Sequence, residues 1–118
     1  MTSEQRPEVC EVIITAPDAE WLAQFTRRLV ADRLAAGAHE ITAIRSIYRW
    51  QGELHDHGEA RVALRTRTEL VSAIAARADE EHPYEVPCVF ALPIETGGLA
   101  YIDWILSETE PQTEPPQT

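Results

Sequence analysis

Two hydrophobic periodicities alternate along this chain, and their order leaves few folds open. Val9-Cys10-Glu11-Val12-Ile13-Ile14-Thr15 is short and β-branched, the pattern of a strand. Pro17-Asp18 opens a helix with Asp18 near its positive end. Leu22, Phe25, Leu29 and Leu34 recur on one face, which predicts a helix through Ala36 with Gly37 as its stop. A second strand is expected from Ile41 to Trp50, a two-residue turn at Gln51-Gly52, and a third strand ending in Arg61–Thr66. Thr66-Arg67-Thr68-Glu69 has capping-box spacing, and Leu70, Val71, Ile74 and Ala78 form the inward face of the helix it would open. Pro83 ends that helix. Val89-Phe90-Ala91-Leu92 reads as a continuously apolar fourth strand. Leu99 to Leu106 reads as a short final helix anchored by Tyr101, Ile102, Trp104 and Ile105.

Strand–helix–strand–strand–helix–strand is the order of a ferredoxin-like split β-α-β domain. The expected fold is α+β: a four-stranded antiparallel sheet with a long central hairpin, two helices on one face and a short C-terminal helix. In that topology the first and last strands are antiparallel neighbours. Cys10 and Cys88 then fall near opposite ends of the pair, too far apart to bridge, and both are expected as buried thiols. A length of 118 residues suits one domain, placed at residues 9–106. Residues 1–8 are expected to be flexible. Residues 107–118, with three Pro and no large apolar side chain, are expected to form a disordered tail. The sheet face without helices is apolar, since the first strand sets Val9 and Ile13 against Cys10, Val12 and Ile14 and the fourth is apolar on both sides. Such a face on so small a domain predicts a homo-oligomer built on it.

Charge narrows the function. Ten basic residues stand against twenty acidic ones, for a net charge of −10, which excludes a general nucleic-acid binder. No apolar run approaches the roughly 20 residues that span a bilayer, and the first residues lack a signal-peptide pattern. A cytoplasmic protein engaging neither membrane nor nucleic acid is expected. Every basic residue is Arg; without Lys there is no Schiff-base chemistry and no P-loop. No nucleophile–base motif accompanies the four His and two Cys, so catalysis is not expected.

Five segments carry a family resemblance: Thr15-Ala16-Pro17-Asp18, Asp32-Arg33-Leu34-Ala35-Ala36, Ser46-Ile47-Tyr48-Arg49-Trp50-Gln51-Gly52, Leu64-Arg65-Thr66 and His82-Pro83-Tyr84-Glu85-Val86-Pro87. In this order and spacing the chain resembles the CutA family of divalent-cation-tolerance proteins over residues 9–106. The resemblance implies a ferredoxin-like subunit of a tight homotrimer, similar to the PII signalling proteins, with the central hairpin reaching toward neighbours. It implies a link to tolerance of copper and other divalent cations in bacteria; animal members are tied to anchoring acetylcholinesterase. No enzymatic activity is established for the family. Two departures stand out. Gly37 occupies the place of a family Cys often proposed to bind copper, and Arg65 replaces a Lys, keeping the charge as a planar fork.

Two constellations could carry chemistry. The first is an inter-subunit cleft of Tyr48, Trp50, Arg65, His82, Tyr84 and Glu85, holding a ligand or metal, or else serving as a rigid hydrogen-bonded connection. His82 ends a helix, where the dipole favours its cationic form. The second is His55 and His57, two apart and so on one strand face, with Glu59 or Glu53 adding an oxygen for Cu²⁺ or Zn²⁺. No resident cofactor is required. Residues 45–67 hold five Arg against three acids, a local positive patch in an acidic chain. With a plain turn at Gln51-Gly52, Arg61 and Arg65 share a face with Tyr48 and Trp50; a one-residue bulge would place them with Arg45 and Arg49. Two functions follow: a non-catalytic trimeric protein of divalent cation (copper) tolerance that binds metal weakly, or a PII-like sensor binding a small anionic metabolite or nucleotide in the cleft.

Overall fold

The structure, a computed structural model, describes residues 6–111. Strand β1 spans Val9–Ala16, helix α1 Ala19–Ala31, strand β2 Gly37–Trp50 and strand β3 Glu53–Arg67. A 3₁₀ turn at Thr68–Leu70 leads into helix α2, Val71–Glu81; strand β4 is Val89–Pro93 and helix α3 is Leu99–Glu108. The sheet order is β2-β3-β1-β4, with every neighbouring pair antiparallel. This is the expected ferredoxin-like topology. Cys10, Val12, Ile14 and Ala16 of β1 and Ala60, Val62 and Leu64 of β3 pack with Leu22, Phe25 and Leu29 of α1 and Ile74 and Ala78 of α2.

Helix α1 starts as its sequence dictates: the Asp18 carboxylate accepts the Glu20 N–H at 3.0 Å. It stops five residues short of Ala36. Arg33 takes φ 62°, and the Leu34 N–H reaches back to the Leu29 carbonyl at 2.9 Å while that of Arg33 reaches Val30. That is a Schellman ending formed without glycine. Leu34 therefore lies beyond the helix rather than on its face, and Gly37 begins β2 instead of ending α1. The capping box does not form either. Thr66 remains in β3, paired with Cys10, and its hydroxyl donates to the Leu34 carbonyl at 2.6 Å.

The β2–β3 hairpin has the plain turn. Gln51 at φ 49° and Gly52 at φ 80° give the double left-handed geometry of a two-residue hairpin loop, and Trp50 pairs with Glu53. One bulge, at Ala43, interrupts β2 alone, so β3 keeps its parity from the tip to Arg67. By register Arg61 and Arg65 thus share a face with Tyr48 and Trp50, and Arg45 and Arg49 take the other. Ala16, the end of β1, pairs with Ala60. Glu53–Glu59 and their β2 partners therefore overhang the body as a two-stranded ribbon, about 23 Å long at ordinary strand rise.

Helix α3 corrects three expectations. It lies on the sheet face opposite α1 and α2, packing Ile102, Ile105 and Leu106 against Val9 and Ala36, so that face is covered at one end. Its anchors are those three residues; Tyr101 and Trp104 stay about two-fifths exposed and stack on each other at 5.5 Å. The chain beyond Leu106 is also part of the fold. Thr109 is buried, the Arg67 guanidinium donates to the Leu106 carbonyl at 2.7 Å, and Arg33 donates to Ser107 at 2.8 Å. Two cations at the negative end of the helix stabilise it. The rest of the expected tail, 112–118, and residues 1–5 of the expected flexible start lie outside the described residues. Cys10 is buried but Cys88 is exposed, contrary to the expectation of two buried thiols. Cys10 pairs with Pro93 and Ile14 with Val89, so Cys88 lies at the far end of the β1–β4 pair.

Candidate functional site

The root of the overhanging hairpin gathers polar side chains that lie far apart in sequence. Glu59 stands one residue past the last β1–β3 pair, where β3 has lost its inner neighbour. The loop after α2 fills that space, and the Tyr84 hydroxyl donates to Glu59 Oε2 at 3.0 Å. Glu59 is 6% exposed. Burial, the bond to the Glu59 carboxylate and the adjacent Tyr48 phenol push the Tyr84 phenol far above its ordinary range. Tyr84 is a fixed neutral donor at every physiological pH.

Tyr48 continues the cluster. His57 Nδ1 lies 3.1 Å from the Gly58 carbonyl, which can only accept, so that nitrogen carries the proton. His57 Nε2 then accepts the Tyr48 hydroxyl proton at 2.8 Å. His55 stacks on the opposite strand's Tyr48 ring, with centroids 5.1 Å apart.

His82 holds this cluster from behind. Its Nδ1 accepts the Tyr84 backbone N–H at 3.0 Å and its Nε2–H donates to the Thr15 carbonyl at 2.7 Å. That pattern fits the neutral ring. It replaces the cationic form expected from the helix dipole, because a backbone N–H already occupies the nitrogen that would take the second proton. The edge of Trp21, stacked on Phe25, packs on the same imidazole.

The structure thus brings together Tyr48, His57, Glu59 and Tyr84, with His55 against Tyr48 and His82 behind Tyr84. It does not bring Arg65 to them within one chain. Arg65 pairs with Gly37 and Glu11, six strand positions or about 20 Å from Glu59. Its guanidinium contacts the Glu11 carboxylate at 3.4 Å, His39 Nδ1 at 3.0 Å and the Ala63 carbonyl at 2.8 Å. Trp50 is 38% exposed near the hairpin tip, and Glu85 is exposed on the loop. His55, His57 and Glu59 do not converge: among the described residues no group of three or more His, Cys, Asp or Glu side chains could hold a metal ion. The Glu59–Tyr84 bond spans 25 residues, and no local pattern announces it. The contacts of Trp21 and Thr15 with His82 follow from α1 and the α2–β4 loop meeting at the end of β1. A concavity of about 550 Å³ lies elsewhere, between the N-terminal segment and the β4–α3 loop, lined by Val9, Pro93, Ile94, Leu99 and Ile102 among others.

Comparison with known proteins gives the family. A family model described as CutA1 divalent ion tolerance protein matches residues 10–108. The chain belongs to the CutA family. It is 38% identical over 98 residues to the divalent-cation tolerance protein CutA of Thermus thermophilus, covering 83% of this chain and 95% of that one. It is 35% identical over 102 residues to human Protein CutA, covering 86% of this chain but only 57% of the human protein. Among solved structures, CutA1 from Oryza sativa matches with a TM-score of 0.85 at 29% identity, covering 90% of this chain and 97% of that one. The Thermus protein matches with a TM-score of 0.83 at 36% identity, covering 86% and 99%. A CutA from Archaeoglobus fulgidus, described as periplasmic, matches with a TM-score of 0.83 at 30% identity, covering 86% and 99%.

Within the CutA frame, Gly37 has a local reason. A Cβ there would lie 2.9 Å from Cη2 of Trp104, so the indole of α3 occupies the space of a side chain at that position.

Proposed function

We propose that this chain is the subunit of a homotrimer that acts in tolerance of divalent cations, copper first among them, in the cytoplasm and without catalysing a reaction. Membership of the CutA family carries the proposal. Assembly is supported by the ribbon of residues 44–59. A two-stranded ribbon is marginal in water, yet this one exposes Ile47 and Leu54 on one side and Trp50 on the other. A neighbouring copy would bury these residues. Among the described residues no helix is long and apolar enough to cross a membrane.

Direct metal binding in this reading is weak and rests on His55 and His57. Both ring nitrogens of His57 already have partners, and binding Cu²⁺ or Zn²⁺ requires the Tyr48 bond to open. The test is growth. A bacterial strain lacking its own relative and sensitive to copper should recover tolerance when this chain is expressed. Unchanged sensitivity at normal expression overturns the role in tolerance, and a monomer mass at micromolar concentration overturns the trimer. Copper calorimetry on the His55→Ala/His57→Ala double variant should show weakened binding; undiminished affinity rejects the pair.

A further inference from the structure

A carboxylate withdrawn from water needs a cation or several donors. Glu59, more than nine-tenths buried, has one hydrogen bond, from the Tyr84 phenol, and no ion pair among the described residues. The other two polar rings of the cluster are engaged with each other and with backbone: His57 bonds the Gly58 carbonyl and the Tyr48 hydroxyl. In one chain the cluster is therefore an incomplete receptor that favours a cationic group and repels an anion.

The same region offers the complement. The chain has no Lys, so its strong side-chain cations are its ten Arg. Arg45, Arg65 and Arg67 of the two long strands each face a carboxylate, at 2.7, 3.4 and 3.4 Å. Arg49 and Arg61 have no acidic partner among the described residues, although Arg61 is half-buried. Arg49 projects from the overhanging ribbon, which reaches beyond its own body. Arg61 shares the open face with exposed Phe90 and Ile41. Among the described residues each chain thus carries a buried carboxylate lacking a cation and, on its two long strands, two guanidiniums lacking a carboxylate.

We propose that the hairpin-root cluster is a cation receptor completed between copies of this chain: a guanidinium of a second copy, Arg49 or Arg61, pairs with Glu59. A planar guanidinium suits the place, because it can bond the free Glu59 oxygen while its face lies against a phenol ring. This rests on the trimer reading above and gives the trimer a charge lock beside its apolar contacts. It also places at the cleft a carboxylate that is neutralised by protein, leaving no vacancy there for an anionic metabolite.

Charge reversal in trans tests it. Glu59→Arg and Arg49→Glu, or Glu59→Arg and Arg61→Glu, are prepared separately, mixed, and their assemblies weighed by native mass spectrometry. For the true pair each variant alone loses trimer, and mixing restores mixed trimers above the statistical proportion. An ion pair within one chain cannot be rescued by mixing. No enrichment with either arginine overturns the proposal. Should the reversals fail to fold, a cycle of Glu59→Gln with Arg49→Gln and with Arg61→Gln on subunit dissociation decides. Non-additivity of tenfold or more with one arginine is expected, and additivity with both overturns it. Wild type weighing as a trimer while these tests fail rejects the lock alone; wild type weighing as a monomer rejects the assembly itself.

Discussion

Gly37 shows how a residue's type can mislead about its place in the fold. Read as a helix stop, it instead starts a strand under an indole ring. The structure makes its smallness a packing requirement: Gly37→Ala should destabilise the fold by about 1–3 kcal/mol through overpacking against Trp104. Urea unfolding checks this, and the penalty should shrink in a Trp104→Leu background, where the neighbour has given way. His82 follows the same logic. Its type drew attention to metal or charge, but its two bonds, to Thr15 and Tyr84, make it the fastener of the loop that carries the site.

At the scale of elements, the hairpin and the α1–α2 pair carry most of what can be tuned. Gln51 adopts a left-handed conformation that a side chain of its kind tolerates poorly. Gln51→Asn, the residue favoured at that turn position, should stabilise by about 0.5–1 kcal/mol, visible as a raised thermal midpoint. The helices α1 and α2 are stitched by Glu81, which takes Arg77 at 2.7 Å and Arg28 at 2.8 Å, while Arg77 also holds Asp32 at 2.8 Å. The Arg77 hydrogen bond foremost, then Arg28, holds the Glu81 carboxyl below its usual range. A carboxyl depressed in the folded state stabilises above its unfolded pKa, about 4.3, and loses that contribution as pH falls through the folded value. Glu81→Gln should thus cost about 0.5–1 kcal/mol at pH 7, the scale of a partly solvated network, and almost nothing near pH 3. Urea midpoints of both proteins at the two pH values decide it.

Over the whole molecule, the elongated outline of 54 × 37 × 23 Å reflects the overhanging ribbon. Leu54, 71% exposed on that ribbon, is a clean probe of assembly because most of its side chain is uncovered in its own chain. Leu54→Glu should weaken subunit association at least tenfold, which is about 1.4 kcal/mol, consistent with losing much of one buried leucine. Its far-UV circular dichroism should match wild type. Sedimentation at decreasing concentration reads the change; an unaltered mass down to nanomolar concentration would mean the ribbon is not an interface.

Local composition was enough to set the element order, the sheet topology, the N-cap at Asp18, the hairpin turn and the separation of Cys10 from Cys88, since each depends on neighbours within a few residues or on the few ways such elements connect. It was also enough to show the family through five ordered segments. Tertiary contact alone decided the rest. Where α1 ends depends on the left-handed Arg33, whose guanidinium reaches the carbonyls of Ser107 and Glu110. Which residues of α3 are buried depends on the sheet face it chooses. The pairing of Glu59 with Tyr84 depends on β1 ending one residue before Glu59 and on a loop from another element filling the space it leaves. A carboxylate's partner is fixed by what lies within about 3 Å of it in space, and separation along the chain carries almost no information about that distance.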